Sequence, residues 1–385
     1  MKVLYVYGNL PAYRKAFFTE LYNRAGEKDI RVKILYGYIA NKETKQATDY
    51  QFDAQKFEAQ TLNLRILRLS RMKGLLRQIK EERPDGIIFQ WNQTNLSEWA
   101  IWGYCKRKSI PYGLWGCNYT RADLMRLLAI IREKIYKWLY RKATVLVPYG
   151  SLYKQYLLGL GISEEKIVVA QNTIDVETIV RNNTARTLDS FDHKTVRILY
   201  VGALAPQKRI DTAIEAVSQL ISEGVDVSLD IVGGGQILGE LESQLLRKPD
   251  SVRAVITLHG AKYGDELKGF FLNSDVFLMP GTGGLGVNEA MAYGLPIIST
   301  IGDETVYDLI DGNGYLLENM GCIEEQKDVI RQFYGLSNKD KYAMSKRSVE
   351  IVMTRAPLNN MVERHVRACE CLLFEKTEQH KKQYK

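Results

Sequence analysis

Short apolar runs and longer amphipathic stretches alternate along most of the chain. In the first half, β-like runs stand at 3–7, 32–36, 86–90, 112–115, 144–148 and 167–170. Stretches of helical period at 13–25, 65–82 and 124–140 separate several of them. The second half repeats the plan, with runs at 196–201, 227–232, 255–258, 275–279, 296–299 and 315–317. Its helices are expected at 211–223, 235–246, 265–272 and 287–293. Strands that alternate with helices build parallel sheets with helices on both faces. Two such halves predict an α/β protein of two Rossmann-like domains. Ligands of such sheets bind at the carboxyl ends of the strands, so the expected site is a cleft between the domains.

The stretch 181–194 is polar and carries no sustained apolar period. The expected organisation is a first domain over 1–185, a linker over 186–196 and a second domain over 197–356. Residues 357–385 read as a helix to about Phe374 and a charged tail, which is expected to pack back on the first domain. No short repeat or low-complexity tract interrupts this plan.

One stretch concentrates the chemistry. The apolar run Asp275-Val-Phe-Leu-Met279 leads into Pro280-Gly-Thr-Gly-Gly-Leu-Gly286, and a helix follows that Gly294 and Pro296 stop. Strand, glycine-rich loop and helix start together make an anion site, because unpaired N–H groups and the positive end of the helix dipole face the loop. Glu289 sits in the first turn of the expected helix. A carboxylate there repels phosphate and suits a pair of sugar hydroxyls. The combination points to a nucleotide with phosphates on the loop and ribose on Glu289. A second loop, after the run 196–201, carries Lys208 and Arg209, and two cations at a strand's carboxyl end suit a diphosphate. The plain alternative for that loop is a solvated turn. Gly8, after the first strand, either approaches a phosphate across the cleft or makes an ordinary turn. Gly233-Gly-Gly235 lacks the sixth-position glycine of a dinucleotide fingerprint, where Leu238 stands, and reads as a turn.

These stretches in order resemble the donor-binding domain of the retaining glycosyltransferases of family 4, with the GT-B fold. The resemblance rests on Ile198-Leu-Tyr-Val-Gly-Ala-Leu-Ala-Pro-Gln-Lys208, Asp230-Ile-Val-Gly-Gly-Gly235, His259-Gly260, Ser274-Asp-Val-Phe-Leu-Met-Pro280, Glu289-Ala-Met-Ala-Tyr-Gly-Leu-Pro296 and Asp311-Gly-Asn-Gly-Tyr315. In the first half, Val168-Val-Ala-Gln-Asn-Thr-Ile-Asp175 and, more loosely, Pro11-Ala-Tyr-Arg14 look like family stretches. The implied fold is two Rossmann-like domains with parallel sheets facing across a cleft, the first on the acceptor side and the second binding the donor. The implied roles put Lys208 on the donor diphosphate, Glu289 on the ribose, and the backbone of Gly283, Gly284 and Leu285 on donor sugar and phosphate. Lys208 and Glu289 are the catalytic candidates. Three departures stand out. Ala203 replaces the family's loop arginine, and Arg209 offers a charge from a different position. Gly281 replaces the glutamate that contacts the donor sugar. Residues 1–192 contain no histidine, and Trp115-Gly-Cys-Asn-Tyr-Thr-Arg121 stands where many members place one.

Charge and composition narrow the setting. Residues 1–190 hold 31 Lys and Arg against 18 Asp and Glu, a net of +13, whereas the remainder nets −5. The basic first half points to an acidic partner or surface. Residues 65–83 carry seven cations against two acids, and 121–142 do the same. In the latter, Leu124, Leu127, Leu128, Ile131, Ile135, Trp138 and Leu139 share one helical face. The stripe fits a helix lying on anionic lipid, or an ordinary core-facing stripe with solvated cations. The aromatic loops expected at or just after the carboxyl ends of first-half strands, with Trp91, Asn92, Trp99, Trp102, Trp115, Asn118 and Tyr119, suit sugar binding or plain packing. The acceptor-side candidates are Arg14, Asn118 and Arg121. No recognised nucleic-acid module is present, so nucleic acid is not an expected partner. Five cysteines form no framework and suit a reducing compartment. Asp-x-Asp is absent, and metal independence is expected. The chain enters a strand at Met1–Gly8 and has no long uncharged apolar run, so neither a signal peptide nor a spanning helix is expected. The expected protein is cytoplasmic, peripheral on the inner face of the cell membrane. It uses no cofactor beyond a UDP- or GDP-sugar co-substrate and moves the sugar to a lipid-linked or other glycan acceptor with retention. A nucleotide-sugar-binding scaffold and a GT-B-type sugar-nucleotide epimerase are the alternatives.

Overall fold

A computed structural model describes residues 1–38, 49–63, 68–92, 94–116 and 126–383. The chain forms two compact units, Met1–Ile174 with Leu358–Lys385, and Asp175–Pro357. The segment 175–196, which includes the expected linker, packs in the second unit. There Arg186 Nε donates to the Tyr293 carbonyl at 3.0 Å, and His193 Nε2 pairs with the buried Asp275 at 2.7 Å.

The first unit is built on β1 Lys2–Tyr7, β2 Arg31–Tyr38, β3 Ala54–Asn63, β4 Arg68–Met72, β5 Gly86–Gln90, β6 Tyr112–Trp115 and β7 Val145–Val147. Its helices are α1 Lys15–Gly26, α2 Leu75–Glu82, α3 Leu96–Lys108, α4 Arg126–Lys142 and α5 Ser151–Gly159. The sheet runs β4-β3-β2-β1-β5-β6-β7, parallel except for the β3–β4 pair. Side chains alternate across the central strand. Val3, Tyr5 and Tyr7 pack with Phe17, Phe18 and Leu21 of α1, while Leu4 and Val6 pack on the other face with Ile79, Ile101 and Leu139. Both faces are covered, so the strands read as continuous apolar runs.

The sequence expectation needs four corrections here. The stretch 65–82 is not one helix: β4 occupies its first part and α2 its end. The run 167–170 contributes an isolated bridge from Ile167 to Leu146, not a strand. Trp99 and Trp102 stand on α3, not in loops. On α4, Leu139 enters the core with Tyr136 and Tyr140 while Ile135 and Trp138 are exposed, so these three residues of the expected stripe do not share one buried face.

The second unit carries α6 Val176–Arg181, α7 Ile210–Ser222, α8 Leu238–Leu246, α9 Asp250–Arg253, α10 Gly264–Asn273, α11 Leu285–Ala292, α12 Ile323–Tyr334 and α13 Asn338–Arg355. Its strands are β8 Val196–Val201, β9 Val227–Val232, β10 Ile256–Leu258, β11 Val276–Met279, β12 Ile297–Thr300 and β13 Gly314–Leu317. They pair in parallel in the order β10-β9-β8-β11-β12-β13. That is the Rossmann order, and it reverses between β8 and β11. Loops leaving the carboxyl ends of the strands on either side of a reversal diverge and leave a crevice. The loop with Lys208 follows β8, and the glycine-rich loop follows β11.

The chain ends in α14 Leu358–Gln383, which returns to the first unit. Met361, Val362, Val366, Cys369 and Leu372 bury against the β1 face. Each such side chain stabilises by roughly 1.5–3 kcal/mol, so α14 is part of that core. A Cβ at Gly86 would sit 3.0 Å from Leu372, so glycine there lets α14 lie close to β5.

Candidate functional site

The loop after β11 is shaped by glycines that nest on other backbone. A Cβ at Gly281 would overlap the Gln207 carbonyl and the Lys208 backbone. Thr282 N donates to Gln207 O at 2.9 Å, and Thr300 Oγ1 donates to Gly281 O at 2.7 Å. Gly302, at φ 65°, lies on the Gly283 carbonyl, which also accepts from Asp303 N at 3.0 Å. Gly286 brings α11 against the end of β8, where a Cβ would stand 3.3 Å from Val201 O. Close backbone approach, rather than flexibility, therefore explains these glycines. Gly233 and Gly235 nest in the same way on Gly202 and Leu204.

Lys208 ends a short 3-10 turn, Pro206–Lys208. It is half-buried, and its Nζ donates to the Thr282 carbonyl. The same ammonium stands 3.4 Å from where a Cβ on Gly283 would be. Burial lowers its pKa, and the Asp303 carboxylate opposes that shift. Arg209 meets other neighbours. It lies against Gly321 and pairs with Asp211 at 3.4 Å, so it does not take the place left open by Ala203.

Glu289 lies on α11, which begins two residues earlier than expected. The carboxylate is therefore two residues further from the helix start, in the second turn instead of the first. It is half-buried, and among the described residues it accepts no hydrogen bond. Burial pushes its pKa up to about 7. A desolvated carboxylate with its acceptor capacity unspent suits neutral donors such as hydroxyls.

The structure thus gathers Lys208, Gly283, Gly284, Leu285 and Glu289 in the second unit. Gly8 is exposed at the carboxyl end of β1 in the first unit. Asn118 and Arg121 lie outside the described residues. Arg14, expected on the acceptor side, is only 1 % exposed. Its guanidinium donates to Asn172 Oδ1, to Thr173 O at 3.3 Å and to Tyr7 Oη at 3.4 Å. These donors are spent inside the protein, which makes Arg14 a strut. Trp91 and Trp115 are likewise core residues. Two residues escaped sequence reasoning. His365, on α14, enters the first unit's core, with its ring 4.5 Å from that of Trp115. Asp303 lies over Gly284 at the start of α11. Its signal is the local Asp-Glu-Thr305 turn, where Thr305 N donates to Asp303 Oδ1 at 3.3 Å.

Two parallel-sheet α/β units of this topology define the GT-B fold. The structure of Anabaena HepE in complex with UDP superposes with a TM-score of 0.67 at 13% identity, over 96% of this chain and 100% of that one. Sucrose-phosphate synthase from Thermosynechococcus elongatus gives 0.71 at 14% identity, over 97% and 99%. Residues 195–334 match the family model Glycosyl transferases group 1. The putative colanic acid biosynthesis glycosyltransferase WcaL of Salmonella typhimurium is 29% identical over 182 residues, 43% of this chain and 41% of the relative. The amylovoran biosynthesis glycosyltransferase AmsK of Erwinia amylovora is 28% identical over 177 residues, 44% and 42%. The matched region spans about two fifths of these relatives' length.

Proposed function

We propose that the protein is a glycosyltransferase that moves a sugar from a nucleotide-sugar to a glycan or lipid-linked acceptor with retention at the anomeric carbon. The observation that carries this reading is Glu289, a half-buried carboxylate that accepts from no described residue, on the helix that follows the glycine loop at the sheet's reversal point. In this reading Glu289 accepts from the ribose diol. Lys208 and the N–H groups at the start of α11 neutralise the leaving diphosphate. The diphosphate itself takes the acceptor's proton as the acceptor attacks the face it leaves. The main demands on the protein are then positioning and charge neutralisation, without a metal. The group 1 domain and the polysaccharide-biosynthesis names of its relatives support the reaction class. UDP in a structure of the same fold supports the donor class.

Thermal shift with UDP, GDP, ADP and CMP tests the donor site. One nucleotide stabilises the protein, by about 2.7 kcal/mol at a hundredfold excess over its Kd. The matching nucleotide-sugars, incubated with membrane lipid extract and EDTA, then release that nucleotide. Failure of all four nucleotides to bind refutes the reading. A second reading, a nucleotide-sugar-binding scaffold, draws on Ala203 and on the filled position at Gly281. It predicts binding without turnover.

A further inference from the structure

The loop 281–284 carries no charged side chain of its own, and at Gly281 it has no room for one. Charge reaches it from two adjoining loops. Lys208 comes from the turn after β8, with its ammonium beside Gly283. Asp303 comes from the loop after β12. That loop is laced along the glycines by the Thr300 Oγ1 bond to Gly281 O at 2.7 Å and the Asp303 N bond to Gly283 O at 3.0 Å. The lacing carries the Asp303 carboxylate to Gly284, where a Cβ would overlap both of its oxygens. Thr305 holds it there, donating to Oδ1 from both its backbone N–H and its hydroxyl. The carboxylate is therefore fixed in position and only half-buried.

A cation and a carboxylate brought from two loops against adjacent glycines sort the parts of a ligand. Phosphate oxygens go to the cation and are repelled by the carboxylate, while hydroxyl groups donate to the carboxylate in charge-assisted bonds. In a nucleotide-sugar, the group bonded directly to the diphosphate is a sugar ring carrying hydroxyls. We propose that Asp303 accepts hydrogen bonds from hydroxyls of the donor's sugar and so selects the sugar, with Thr305 as the residue that positions it. This rests on the donor-site reading above and adds its sugar subsite.

Isothermal titration of wild type, Asp303→Asn, Thr305→Val and Glu289→Ala tests it, with UDP, GDP, UDP-glucose, UDP-N-acetylglucosamine and GDP-mannose as probes. Melting curves confirm that each variant is folded. Asp303→Asn is expected to bind the preferred nucleoside diphosphate within twofold of wild type and the preferred nucleotide-sugar at least tenfold more weakly. Thr305→Val, which keeps the carboxylate but loosens it, is expected to show the same selective loss in smaller measure. If Asp303→Asn instead binds the bare nucleoside diphosphate tenfold more tightly, the carboxylate is an internal competitor of phosphate and the assignment is overturned. Unchanged affinity for both ligand types also overturns it. If wild type binds no probe, or Glu289→Ala binds as tightly as wild type, the donor site itself is misplaced and Asp303 falls with it.

Discussion

Arg14 and Glu289 are both ionisable side chains drawn back from water, one in each unit, Arg14 fully and Glu289 in part. Arg14 donates to Asn172, Thr173 and Tyr7, and its guanidinium lies 5.4 Å from the Trp115 ring centre. The Glu289 carboxylate accepts from no described residue, and burial raises its pKa to about 7. Burial alone does not mark a ligand site. Hydrogen-bond capacity left unspent does, because the protein then bears a desolvation cost that a ligand removes.

The contrast breaks first at Arg14. Arg14→Leu strands the groups that it satisfies and is expected to cost about 3 kcal/mol or more in urea unfolding, with nucleotide affinity of the folded protein unchanged. A loss of affinity without a loss of stability would make it a ligand residue after all.

The pH responses of the two units are opposed. Glu289 binds its proton more tightly folded, at about 7, than the ordinary 4.5. The ligand-free protein therefore loses stability as pH rises from about 4.5 through 7, by on the order of 2–3 kcal/mol, and Glu289→Gln removes that slope. In the first unit, burial and then the charge of Arg14 hold His365 down to about 3 from 6.5. Its contribution is complete above 6.5 and is lost as pH falls toward 3. His365→Leu is expected to flatten this acid limb, and chemical denaturation between pH 4 and 8 reads both slopes.

Glu289→Ala is expected to weaken nucleotide binding by about 2 kcal/mol, the scale of hydrogen bonds to a charged group, without lowering the ligand-free melting temperature. The smallest effect belongs to an exposed ion pair. Lys28 meets Glu370 at 2.6 Å with both side chains about half exposed, so Lys28→Ala is expected to change stability by less than about 0.5 kcal/mol.

Legibility followed burial. In the second unit β11 and β12 are apolar runs buried along their whole length, and the sequence placed these and the partly buried strands beside them to within a residue or so. The β3–β4 hairpin escaped because Gln55-Lys-Phe-Glu-Ala-Gln60 and Arg68-Leu-Ser-Arg71 hide a strand period under edge charges. Helix α3 escaped because apolar residues such as Trp99, Ile101, Trp102 and Tyr104 ring much of it and blur its stripe. At the site, Lys208 and Glu289 were legible as charged groups beside glycines. Asp303 was not, since only the folding of the loop after β12 onto Gly281 and Gly283 brings it to Gly284. Nor could spacing show that Gly281 is filled by the backbone of residues 207 and 208.

The central claim is that the unspent carboxylate of Glu289 awaits a ribose diol. The most direct test is the affinity of the preferred ribonucleoside diphosphate against its 2′-deoxy form, in wild type and in Glu289→Ala. The account predicts at least tenfold preference for the ribose form in wild type and none in the variant. Equal affinities in wild type, or a preference that survives the substitution, would contradict it.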